Sequence, residues 1–148
     1  MKKNYLVFVT LLSFCALGLA CKKSSGSGKS RTELITQSAW KFEYFGTDAN
    51  KDGQVEISQL DDCNDDDTIT FSTNGTGVTN QGSDVCSGSN QTDNWNWSFT
   101  NNESVVHIDI DELGDINITT LSDTQLRGYK DVDMGGGAML RIIVGMKH

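Results

Sequence analysis

The sequence predicts an all-β domain: an antiparallel up-and-down meander of eight short strands closing into a small barrel. Three observations carry this expectation. From Ser38 onward apolar residues recur with a period of two, as in half-buried strands. The breaks between these runs hold Asn, Asp, Gly and Ser, which form tight turns. No long amphipathic helical pattern separates the runs, which argues against parallel βαβ units. The 148 residues suffice for one such domain. With 12 basic against 20 acidic side chains, a net charge of −8, the chain lacks the clustered Lys and Arg that nucleic-acid binding needs.

In chain order, the start is an address. Lys2 and Lys3 precede an apolar run over residues 5–14, and small residues lead to Ala20 and Cys21. About 15 apolar residues are too few for a comfortable membrane span but fit a secretory leader. Leu17, Gly18, Leu19, Ala20 and Cys21 together resemble a lipobox, where a signal peptidase cuts before a lipid-modified Cys. The resemblance implies a signal peptide over 1–20 and a diacylglycerol anchor on Cys21. Residues 21–32 read as a flexible Gly/Ser/Lys tether, about 15–20 Å long by random-coil scaling. No acidic residue follows Cys21 directly, so nothing there resembles the sorting signals known for inner-membrane retention and surface export. The expected location is the outer membrane, on its periplasmic face.

Residues 33–148 form the expected barrel domain. A helical turn is predicted over 32–37. Trp40, Phe42 and Tyr44 alternate with Lys41, Glu43 and Phe45 to give the first strand. A second helical turn is predicted over 55–62. Further strands are predicted over 68–72, 76–80, 93–100, 104–110, 115–121, 125–132 and 138–146. Asn101 and Asn102 make a tight corner, since Asn tolerates positive φ. Gly135, Gly136 and Gly137 form a hairpin loop and not a phosphate cradle, because no helix follows. Trp95, Trp97 and Phe99 share one face, as do Val106, Ile108 and Ile110, and again Leu140, Ile142, Val144 and Met146. Each large apolar side chain buried contributes about 1.5–3 kcal/mol. With three Trp and six Phe in the chain, a side-chain-filled interior competes with a cavity.

The order of several motifs is familiar. Trp40 follows Leu34, Ile35 and Thr36; an acidic loop leads into CNDDDTITFSTNGTG over 63–77; then come Cys86, WNWSF over 95–99, and Ile118, Leu121 and Leu126. Over residues 33–130 the chain resembles the small lipocalin-like domains of Bacteroidetes envelope lipoproteins. The resemblance implies the eight-stranded barrel also reached from the strand pattern. Lipocalins proper open with Gly-x-Trp; Ser38, Ala39 and Trp40 stand there in this chain.

Cys63 and Cys86 are the cysteines left in the folded domain, and after export a pair of this kind favours a disulfide. They bracket the hairpin over 68–80, so the bridge ties the loop before it to the loop after it. Residues 48–57 match the first ten positions of an EF-hand calcium loop. Asp48, Asn50 and Asp52 supply alternate ligands, Gly53 the sharp turn, the Gln54 carbonyl and Glu56 the rest of the ring. The twelfth position is Gln59, not Glu, and a strand precedes the loop, so Asp61 or Asp62 is the expected substitute ligand. The bland alternative is a solvated turn, which Asp and Asn favour without any metal. Five acids within residues 61–67 read as a solvated loop beside the disulfide.

No catalytic constellation appears. His107 and His148 make neither a zinc site nor a triad, and no Ser lies in a Gly-x-Ser-x-Gly setting. Trp95 and Trp97 alternate with Asn94, Asn96 and Ser98, so they face inward and not toward a sugar. The expectation is a non-enzymatic, membrane-anchored lipoprotein whose barrel takes a small apolar ligand, with no nucleic-acid partner. A cavity lined by Trp40, Trp95 and Trp97 would favour that reading. The alternative is a calcium-stabilised acidic module that docks on an envelope protein or polysaccharide.

Overall fold

The computed structural model describes residues 28–110 and 113–148. The predicted signal peptide, the predicted acylation site Cys21 and the tether up to residue 27 lie outside the described residues. Helix α1, Arg31–Ile35, begins inside the segment read as tether. Its start is set by a capping box: the Glu33 amide donates to Ser30 Oγ at 3.2 Å, and the Ser30 amide donates to Glu33 Oε2 at 2.6 Å. The helix buries Leu34 and Ile35.

Nine antiparallel strands follow: β1 Lys41–Thr47, β2 Ile57–Ser58, β3 Thr68–Phe71, β4 Thr76–Asn80, β5 Thr92–Thr100, β6 Val105–Ile108, β7 Gly114–Leu121, β8 Gln125–Asp133 and β9 Met139–Lys147. They form one sheet in the order β2-β1-β9-β8-β7-β6-β5-β4-β3. All eight predicted strands are present, and their connections are the expected hairpins. The β5–β6 turn places Asn101, Asn102 and Glu103 at φ 49°, 54° and 65°, and Gly135, Gly136 and Gly137 all take positive φ in the β8–β9 loop.

Three expectations are corrected. The ninth strand, β2, occupies part of the segment predicted to be a helical turn; only Asp62–Asn64 is helical there, as a short 3-10 turn. The sheet is not closed into a barrel. Its two ends meet at a single bridge, where Trp40 and Ile69 exchange N–H···O bonds of 2.8 Å each way. Beyond that bridge β1 turns to pair with β2 (Gly46 with Ser58, Thr47 with Ile57), so no ladder seals the seam. Finally, a bulge between Phe42 and Tyr44 breaks the alternation of β1. Phe45 therefore enters the core, while the Tyr44 ring leaves it and lies against Gly145, where a Cβ would be 2.3 Å from the ring.

The core is packed with side chains. Trp40, Ile69, Phe71, Ile108, Val106 and Met146 are fully buried. Phe71 meets Trp95 and Trp97 edge-on at 5.1 and 5.4 Å, an arrangement suited to the ring quadrupoles. Every indole N–H has a partner: Trp40 donates to the Ile35 carbonyl, Trp95 to Thr79 Oγ1 and Trp97 to the Ser72 and Thr76 carbonyls. Helix α1 plugs this end, and His148 stacks on Trp40 at 3.7 Å. The three tryptophans thus fill the sheet's interior and do not together line a cavity; Trp95 alone borders an open depression with Thr79, Asp93 and Ile110.

Candidate functional site

The cavity lies at the other end, where β1 and β3 part. Its volume is about 370 Å³, within the range of small-molecule sites. Phe42 and Phe45 from β1, Leu60 after β2, Ile69 from β3, and Ile110 and Leu113 between β6 and β7 give apolar walls. Gln59, Asn64, Asp67, Thr79, Gln81 and Ser89 supply the polar ones. Gln59 is held to the sheet by its amide, which donates to the Phe45 carbonyl at 2.9 Å.

The disulfide fixes one wall. Cys63 and Cys86 are bonded, with Cα atoms 5.3 Å apart, joining the 3-10 turn to the segment after β4. Around it the acidic run divides in a way the sequence reading missed. Asp61, Asp62 and Asp65 are exposed, as expected of a solvated loop. Asp66 accepts from the Ser83 amide at 2.6 Å and the Ser83 hydroxyl at 2.8 Å, and these two bonds hold its carboxyl below the usual carboxylate range. Asp67 is buried, with 3% of its surface exposed. The missed signal is phase: Asp67, Ile69 and Phe71 are successive inward positions leading into and along β3.

The predicted calcium loop is placed on the outer side of β1. Asp48 is buried, and its two carboxylate oxygens accept from the amides of Asp52 and Gly53 at 3.0 Å each. Asn50 Oδ1 accepts from the Asp52 amide at 2.9 Å, Asp52 Oδ1 from the Gln54 amide at 2.9 Å, and Glu56 Oε2 from the Ala49 amide at 2.8 Å. Gly53 takes φ 86°, the sharp turn expected of it, and Lys51 takes 62°. Carboxylate oxygens of Asp48, Asp52 and Glu56 come within 4.8 Å of one another. Asn50 contacts Asp52 through its side-chain amide at 3.2 Å, and the Gln54 side chain is exposed. Asp61 and Asp62 are not among the converging acids; they sit at the 3-10 turn beside the disulfide.

Next to this loop is a shallow groove of about 300 Å³ floored by Tyr44, Arg127, Tyr129 and Arg141. Arg141 grips Asp131 with two hydrogen bonds of 2.8 and 2.9 Å and lies 4.0 Å over the Tyr129 ring. The Arg141 hydrogen bond depresses the Asp131 carboxyl, and Asp131 in turn raises the guanidinium. Burial pushes the Tyr44 phenol up. His107 is exposed on β6 and pairs with Asp115 at 2.7 Å, as an outward strand residue.

No curated protein and no solved structure matches the chain. A family model described as a lipocalin-like domain matches residues 38–128, from just before β1 into β8.

Proposed function

The chain belongs to the lipocalin-like domain family, and from that premise we propose that it is a non-enzymatic binding protein whose end pocket takes a small apolar ligand. The observation that carries the reading is the pocket itself. Rings and aliphatic side chains from four separate parts of the fold converge there, with a few polar groups around them.

The expected setting is the cell envelope. The residues that support it are the cationic start, the apolar run and the lipobox-like ending at Cys21. Acylation at Cys21 would hold the domain on the periplasmic face of the outer membrane. Replacing it by Cys21→Ala moves the protein from the membrane fraction to the soluble one; retention in the membrane would contradict the anchor.

Ligand binding is tested with N-phenyl-1-naphthylamine, a neutral apolar fluorophore. The expected result is saturable binding to one site, weakened at least tenfold by Leu60→Trp, whose larger ring occupies the pocket from its edge. Absence of saturable binding contradicts the proposal.

A second reading is favoured by the convergence of Asp48, Asp52 and Glu56. These acids suit a hard cation that prefers oxygen ligands. In this reading the domain is a calcium-stabilised acidic module that docks on another envelope protein or on a polysaccharide. Melting in excess calcium and in chelator separates the two states; superimposed curves refute the site.

A further inference from the structure

Asp67 gives the pocket a chemical preference. It is buried, with 3% of its surface exposed, and it lines the pocket on the same face of the chain as Ile69. One of its oxygens, Oδ2, accepts from the Asn64 side-chain amide at 3.0 Å. The other, Oδ1, is buried and has no hydrogen-bond partner among the described residues. A buried acceptor without a donor is costly, and more so when it belongs to a charged group.

Of the donors that line the pocket, the Asn64 side-chain amide already donates to Asp67 Oδ2 and to Cys86 Sγ, and among the described residues none donates to Oδ1. Among the described residues no Lys, Arg or His lines the pocket, so Asp67 has no cationic neighbour in that lining. Among the described residues the acids close enough to share a metal ion are Asp48, Asp52 and Glu56, on the outer side of β1, and Asp67 is not one of them. A ligand that completes Asp67 brings a donor of its own, and a cationic N–H group suits a carboxylate best, with an apolar body for Phe42, Phe45, Leu60 and Leu113.

We propose that the pocket selects small amphiphilic amines, whose ammonium group donates to Asp67 Oδ1 while the hydrocarbon part fills the apolar walls. This inference rests on the ligand-binding reading above. Rotation about the Asp67 Cβ–Cγ bond is soft, so a modest turn presents Oδ1 to an incoming head group. The exposed Asp61, Asp62 and Asp65, on the 3-10 turn that also carries the lining residue Asn64, add a field that attracts cations and repels carboxylates.

The test uses three probes with the same ten-carbon chain, decylamine, decanol and decanoate, titrated calorimetrically into the full-length protein. Decylamine is expected to bind about tenfold or more tightly than either other probe, the size of effect a charge-assisted hydrogen bond supports. Asp67→Asn should remove that preference while decanol affinity stays within about twofold. If all three bind the wild-type protein equally, the amine preference is wrong and the pocket reading stands. A preference that survives Asp67→Asn reports general surface charge and overturns the inference. If no probe binds, both readings fail together. A measurement without any variant guards against misfolding: NMR contacts from the carbon beside the ammonium to the Asp67 Cβ protons are expected, and contacts only to other residues would overturn the inference.

Discussion

At the scale of single residues, close approach decides what is tolerated. Gly77 pairs with Trp95 across β4 and β5, and a Cβ there would lie 2.2 Å from the indole. The ring lies where a side chain would stand, so Gly77→Val should destabilise the fold by about 1–3 kcal/mol through overpacking. Chemical denaturation measures this; an unchanged midpoint would contradict the packing. Asp66 offers a second check. Its folded carboxyl is held below the ordinary range by the two bonds from Ser83. Its contribution is therefore full above the unfolded carboxylate range and is lost as pH falls through the folded value. Melting temperature should fall on acidification below about pH 4, where carboxylates titrate, and Ser83→Ala should make that fall less steep. An identical acid profile would show that the Ser83 hydroxyl bond contributes nothing, the backbone amide bond being kept in the variant.

At the scale of elements, the 48–56 loop and the disulfide each brace one side of the seam between β1 and β3. The loop was legible because its ligand spacing is a local pattern: Asp48, Asp52, Gly53 and Glu56 all take the positions expected of them. Strand β2 was not legible. Its two residues are exposed, so they carry no period-two signal, and its place follows from Gly46, where a Cβ would be 2.3 Å from the Ile57 carbonyl. Replacing Glu56 by Gln keeps a side-chain oxygen to accept from the Ala49 amide and should abolish any calcium-dependent rise in melting temperature. A rise that persists in the variant would move the ion elsewhere. Removing the disulfide with Cys63→Ser and Cys86→Ser frees a separation of 23 residues and should cost about 3 kcal/mol in the chain-entropy account. It should also loosen the wall that carries Asn64 and Asp67, so probe binding weakens more than overall stability alone explains.

For the whole molecule, the long strands and their order were readable because each buries one face, and alternation in sequence is alternation in space. The seam was not readable. It depends on where β1 changes partner, and the bulge after Phe42 that redirects it leaves no mark in composition. The pocket was hidden for the same reason, since its walls come from segments far apart in sequence. Asp67 shows the difference most clearly: within a run of five acids it reads as solvated, yet its phase with Ile69 and Phe71 carries it inside. The tryptophans mislead in the opposite sense, being conspicuous in sequence and committed to the filled end.

The most direct measurement of the account is a two-dimensional NMR titration of the isotopically labelled protein with N-phenyl-1-naphthylamine. The account predicts saturable shifts confined to the end pocket, at Phe42, Leu60, Ile69 and Leu113, with α1 and the Trp40–His148 stack unmoved. Shifts that do not saturate, or that map to the outer groove around Tyr129 and Arg141, would contradict it.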